Sequence, residues 1–222
     1  MKKPVFYTEL AYLLGELTLA IGTAMMEKGG FGLSMVVAPA YVLHLKVSQY
    51  LPFFTFGMAE YTFQALVICL MMLLLRKAKL SYLFSFVTAV LYSLMLDGMI
   101  SLLAVLPQMG QIAKLAMYGS GMVICSLGVA LMFHTYIPQA AYEMFVKEVA
   151  GHFSLPLHKF KTFYDCISCV IAIALSFLFF GFMHFEGIGW GTVVCALANG
   201  MLIGLWTKLL ERGWQFADRF RK

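Results

Sequence analysis

Charge is what this chain has least of. Its 222 residues are only 12% charged and 62% hydrophobic, and the mean hydropathy is +0.85. A soluble domain carries about 25% charged residues, so the composition argues for an integral membrane protein with little chain left over for a soluble domain. A nucleotide-binding glycine loop followed by Lys-Ser/Thr is missing, which removes any sign of an ATPase. A Ser/His/Asp arrangement and an HExxH helix are missing too, so nothing points to an enzyme or to a cofactor. After Lys2 and Lys3 the first apolar run is too long for a cleavable signal, and no small-residue cleavage site follows it. Cysteine is scarce and odd in number. Cys69, Cys125, Cys166, Cys169 and Cys195 all lie in apolar runs, which argues against a disulfide framework. Cys166 and Cys169 have the spacing of a metal or redox pair, but no second pair or nearby His completes a metal site. The net charge of +5 needs no nucleic-acid partner.

What the chain does have is long apolar runs. Residues 51–75 contain one acid, Glu60, and no base before Arg76. A helix of that length is roughly 37 Å long, enough to cross a hydrocarbon core of about 30 Å with some tilt. Ser48 is placed to cap it, and Pro52 suits its first turn. Further spans are expected over about 6–26, 81–106, 114–136, 160–185 and 191–210. Segment 34–47 is too short and, with His44 and Lys46, too polar at its end to cross, so it reads as re-entrant or interfacial. Segment 138–152 carries Glu143 and Lys147 as an i,i+4 pair beside apolar residues, the pattern of an amphipathic helix at the interface.

Six spans put both termini on one side. With the N-terminus inside, all of the 16 Lys and Arg except Lys28, Lys46 and Lys114 fall in the cytoplasm, a strong positive-inside bias. The expected organisation is one integral membrane domain over 1–222 with a basic cytoplasmic tail at 211–222.

The two halves resemble each other. Gly15, Gly22, Ala24 and Met26 meet Gly121, Gly128, Ala130 and Met132 at one offset. Leu51-Pro52 then meets Leu155-Pro156, and Glu60 falls opposite Asp165 after a one-residue shift. Each half has one long span, a short segment bearing a proline (Pro39 or Pro138) and two more spans. Three spans per half make the second half enter from the opposite side. The fold class is therefore an all-α membrane protein of six transmembrane helices in two inverted three-helix repeats, about 1–106 and 113–212. A second likeness, between residues 22–32 and 181–191, has a different offset. It reads as two similar tight turns, built on Gly30 and Gly32 in one and on Gly189, Gly191 and Thr192 in the other.

These features together resemble the YczE/YitT-type family of bacterial multi-pass membrane proteins. The residues that carry the likeness are the glycine-rich end of span 1, the short proline-bearing segment after it, Asp97-Gly98 late in span 3, FYDCISCVIAIALS at the start of span 5 and GIGWGTVVCALANG at the start of span 6. Of two Gly-Thr pairs in the family pattern, Gly191-Thr192 is kept, while Val87-Thr88 stands in place of the other. The resemblance implies a bacterial cytoplasmic membrane location and a transporter-like or pathway-accessory role.

Glu16, Glu60, Asp97 and Asp165 lie within spans, and each costs about 2.5–3.5 kcal/mol at the bilayer centre on insertion scales. No base at matching depth neutralises them. They are expected to be protonated, to bind a cation, or to hydrogen-bond in a wet cavity, with Asn199 as a further polar ligand. His44, His134 and His184 lie near segment ends and read as interfacial. Gly15, Ala20, Gly22 and Ala24 form a small-residue stripe that allows close helix approach. Three readings fit. The first is a small permease with a binding site for a small molecule or ion between the repeats near the midplane. The second is the substrate-binding subunit of an energy-coupling vitamin transporter, whose span 1 stripe docks a partner membrane subunit. The third is a non-transporting accessory protein. The lipid bilayer is a partner in all three, and a homo-oligomer is compatible with each.

Overall fold

The apolar runs become helices of bilayer length. The computed structural model describes residues 3–155, 157–181 and 187–219. In chain order the elements are β1 (Val5–Tyr7), α1 (Thr8–Gly29), α2 (Ala38–Val47), α3 (Phe56–Leu75), α4 (Leu80–Ala104), α5 (Gln111–Met132), α6 (Ala141–His152), α7 (Leu157–Phe180), α8 (Trp190–Gly213) and β2 (Gln215–Ala217). Among the described residues, α1, α3, α4, α5, α7 and α8 are long and apolar enough to cross a membrane. Large apolar side chains cover their outward faces, including Leu73, Leu94, Leu178 and Leu197. A bilayer accommodates such surfaces and water does not. The chain is a multi-pass helical membrane protein.

Two boundaries differ from expectation for identifiable reasons. Span 1 continues past Met26, because Glu27 to Gly29 keep helical geometry. It stops at Gly30, whose φ of 73° lets its N–H reach back to the carbonyls of Met26 and Glu27. The helix at Glu60 begins at Phe56 rather than at Leu51. Its cap is not Ser48 but Thr55, whose hydroxyl accepts from Met58 N at 3.1 Å. Residues 51–54 turn instead, with Phe54 N donating to Leu51 O at 2.9 Å. At 20 residues, α3 spans about 30 Å, the hydrocarbon thickness without surplus.

α2 has 10 residues and does not cross. α6 has 12 residues, too short to cross, and is amphipathic as expected. Its Tyr142, Met144, Phe145, Val146 and Val149 are buried, and it packs on both α3 and α7. Lys147, Gly151 and His152 stay exposed, so the apolar face is turned to protein and the polar residues away from it.

α1 and α5 form the tightest pair. They run antiparallel: Gly15 meets Gly128 and Met132, Gly22 meets Cys125, and Gly29 meets Tyr118. A Cβ on Gly22 would lie 2.5 Å from Cys125 N, so only glycine allows this approach. The small-residue stripe of span 1 is thus consumed inside the molecule and is not free to dock another subunit. α4 closes on the far side of α1, where Tyr12 and Thr88 hydroxyls share a hydrogen bond of 2.8 Å and Tyr92 OH donates to Thr23 Oγ1 at 3.0 Å. Several pairings come in couples: α1 with α4 and α5 with α8, α2 with α3 and α6 with α7, α2 with α7 and α3 with α6; α3 packs on α4 without an equally close α7–α8 pair among the described residues.

The two ends of the chain meet. β1 and β2 pair in parallel, with Phe6 opposite Phe216. Thr8 Oγ1 donates to Asp218 at 2.8 Å, and Arg219 N donates to Glu9 at 3.0 Å. The basic tail is thus, to Arg219, tied to the start of α1. Both ends lie at the same face of the helix bundle.

Candidate functional site

A cavity of about 280 Å³ lies at the centre of the bundle. It borders both apolar cores, one built around Ala20, Ala24, Leu96 and Cys125, the other around Ile68, Met71, Phe145 and Val149. Its walls come from both halves of the chain. The first half contributes Glu16 and Thr23 of α1, residues 33–37, Glu60 and Gln64 of α3, and Tyr92 of α4. The second contributes Cys125 and Val129 of α5, Gln139, Tyr142 and Glu143, Asp165 of α7, and Asn199 of α8. The starts of α2 and α6 both reach it, since Val37 and Ala140 are their N-caps and line the cavity. Two short helices thus bring their positive ends to one space.

Glu60 is fully buried. One turn along α3, Gln64 Nε2 donates to Glu60 Oε1 at 3.3 Å, and Gln64 Oε1 accepts from Ala141 N at 3.0 Å. The first amide of α6 is thereby connected through Gln64 to the Glu60 carboxyl. The other oxygen, Oε2, has no hydrogen-bond partner among the described residues. The Tyr142 hydroxyl stands beside Glu60 without reaching hydrogen-bond geometry. Burial pushes the Tyr142 hydroxyl well above its ordinary range, and the neighbouring Glu60 adds to the shift, so Tyr142 is a neutral hydroxyl at any working pH. Glu16 is 1% exposed, and neither of its carboxyl oxygens has a hydrogen-bond partner among the described residues. Asn199 Oδ1 is also buried without one among them. Buried polar atoms without partners are rare, and each calls for a cause.

Four of the five predicted ligands, Glu16, Glu60, Asp165 and Asn199, come together at this cavity. Asp97 does not. Its carboxylate accepts from Thr55 Oγ1 at 2.5 Å and from Gly57 N at 2.7 Å. It holds the first turn of α3 from the neighbouring helix, which accounts structurally for an acid inside a span. His44 and His134 are each tied through Nδ1 to a backbone carbonyl, of Phe54 at 2.9 Å and Ala130 at 2.7 Å. His184 and Pro156 lie outside the described residues. Among the described residues no group of three or more His, Cys, Asp or Glu is arranged to hold a metal ion.

The glycine turns meet each other. Gly191 N donates to Phe31 O at 2.9 Å, and the Phe31 and Trp190 rings lie 4.9 Å apart. Gly32 has φ 103°, and a Cβ there would strike Thr192 Oγ1 and Gly189. A second cleft beside them is lined by Glu27, Gly30, Gly32, Tyr41 and Gly189, and shares Met26 and Leu33 with the central cavity. Both shared side chains are nearly inaccessible, so they form the wall between the two spaces. Pro39 sits in the first turn of α2. Pro138 O accepts from Thr88 Oγ1 at 3.0 Å and anchors the chain before α6.

Reading acids alone missed Tyr92, Tyr142, Glu143 and Thr23. A tyrosine in an apolar helix has no local signature, and the i,i+4 spacing of Glu143 and Lys147 does not show that Glu143 borders a cavity.

Residues 6–208 match the model of a family described as a family of unknown function, DUF6198. No curated protein and no solved structure matches the chain.

Proposed function

The chain belongs to the DUF6198 family, and we propose that it is a small permease-like protein of the bacterial cytoplasmic membrane, with its substrate site in the central cavity between two inverted repeats. The observation that carries this reading is the cavity itself: an internal space walled by both halves, with buried carboxyl oxygens that the protein leaves unmet. A merely structural protein gains nothing from leaving them so.

The repeat reading is supported by the α1–α5 contact. Gly15 approaches Gly128, and Gly121 approaches Gly22. Exchanging each glycine for its counterpart in the other half turns the first contact into the second. An antiparallel pair with this property has a two-fold axis perpendicular to its helices, hence in the membrane plane. Three further couples of pairings fit the same operation, while the α3–α4 contact has no equal between α7 and α8 among the described residues. With the termini in the cytoplasm, the short helices α2 and α6 approach the cavity from opposite faces, a layout suited to alternating access.

The test is accessibility of the cavity from the two sides. Cys125 lines it. With the other four cysteines replaced by serine or alanine, a permease exposes Cys125 to a membrane-impermeant thiol reagent both in right-side-out and in inverted vesicles. Labelling from one side only, or from neither, refutes alternating access and favours an accessory role.

A further inference from the structure

We propose that the ligand of the central cavity is a small organic cation carrying several N–H donors, an amine or a guanidine, held by Glu16, Glu60 and Asn199. The inference rests on the permease-like reading and adds the chemical class of its substrate.

The argument is an inventory of what the cavity lacks. Its unmet atoms among the described residues are both oxygens of Glu16, Oε2 of Glu60, Oδ1 of Asn199 and the Tyr142 hydroxyl. The carboxylate and amide oxygens are four acceptors, and the Tyr142 hydroxyl is the one group of the set with a hydrogen to give. What is missing is therefore mainly a set of donors. Water supplies donors but no charge, and the described lining contains neither Lys, Arg nor His. An anion is disfavoured, because Glu16, Glu60, Glu143 and Asp165 all border the space. The positive ends of α2 and α6 do not reverse this, since the first amide of α6 is already engaged by Gln64.

Within the cations, geometry separates metal ions from organic ones. A bare metal ion needs several ligands within about 2–2.6 Å of one point. Among the described residues no three His, Cys, Asp or Glu converge in that way. The acceptors come instead from α1, α3 and α8, spread around the wall. A ligand with N–H groups at more than one position reaches them, and a point charge does not. The volume of about 280 Å³ suits a molecule of a few heavy atoms. Tyr92 and Tyr142 line the same space, and aromatic rings attract cations.

The test is titration calorimetry on the purified protein in detergent. The N–H cations methylguanidine, agmatine and putrescine are compared with tetramethylammonium, which is charged but has no N–H, with neutral methylurea and with acetate. We expect binding of at least one N–H cation and of none of the other probes, and at least tenfold weaker binding in Glu16→Gln and in Glu60→Gln. The same cation should protect Cys125 of the unmutated cavity from alkylation, an arm that needs no carboxyl variant to fold. Tetramethylammonium binding as tightly as methylguanidine overturns the N–H requirement. Binding of methylurea or acetate alone overturns the cation class. Absence of binding by every probe, with no protection of Cys125, overturns it as well. In each of these cases the two-sided labelling of Cys125 decides separately whether the permease reading stands.

Discussion

Replacing Asp97 by alanine should damage the fold and spare the cavity. Its carboxylate accepts from the Thr55 hydroxyl and from Gly57 N, which lie at the start of α3. The Thr55 hydroxyl in turn accepts from Met58 N. Asp97 therefore fixes the orientation of the cap and satisfies one of the orphan amides of the first turn. Losing an N-cap arrangement costs about 0.5–2 kcal/mol. Leaving a buried amide without its acceptor costs a further 1–3 kcal/mol or so. The two share Thr55 and overlap, so about 2–4 kcal/mol is expected for Asp97→Ala. Asp97→Asn keeps one carbonyl oxygen and should recover roughly half. Gly57 leaves no room for compensation, because a Cβ there would collide with the Asp97 carboxylate and Ser93 O. Thermal unfolding of the detergent-purified variants, followed by tryptophan fluorescence, measures the loss. Ligand affinity of the surviving folded protein should stay within twofold of wild type. An Asp97→Ala variant with unchanged midpoint and lost ligand binding would falsify this account and return Asp97 to the site.

Gly22→Ala should separate α1 from α5, at a cost of about 1–3 kcal/mol, read in the same unfolding assay. Gly98→Ala, where nothing lies within 4 Å of an added Cβ, is the neutral control. Glu148 accepts hydrogen bonds from Lys79 and Tyr82; burial pushes its carboxyl up, but these bonds outweigh it and hold the group below the usual carboxylate range. A lowered folded value means that this contribution is complete above about pH 4.3, the unfolded value, and is lost as pH falls through the folded one. The pair is partly exposed, so Glu148→Gln should cost under about 1 kcal/mol near neutral pH and flatten the stability profile below pH 4.3 or so. Reporter fusions at Met109 should report the outside and fusions at Ala78 the inside; the reverse at either site removes the proposed topology.

The spans were legible because apolar length is a local property of the sequence. So was the meeting of Glu16, Glu60 and Asp165, since acids without bases inside a bilayer have few places to go. The start of α3 was not legible: Pro52 and Ser48 offered a plausible local cap, and the carboxylate that selects Thr55 instead lies on another helix. The same separation in sequence hid the role of Asp97, which alone looked like the other intramembrane acids. The amphipathic pattern of α6 is legible, but Glu143 and Lys147 at i,i+4 look alike in the sequence. Only the structure shows Glu143 at the cavity while Lys147 stays exposed. The similar glycine turns at 22–32 and 181–191 were noticed as sequences, but nothing in either one indicates that Phe31 and Trp190 pack together.

The pairing of β1 with β2 has a consequence for biogenesis. β1 is made before every span, and its edge stays uncovered until β2 follows the last of them. Its partner can reach it only if the intervening chain crosses an even number of times, because an odd number would leave the two strands on opposite sides of about 30 Å of hydrocarbon. Closure of Val5–Tyr7 on Gln215–Ala217 therefore reports that insertion finished with an even number of crossings. A chain that stalled or flipped one helix would display two unpaired strand edges at its ends, the kind of exposed backbone that quality-control proteases engage.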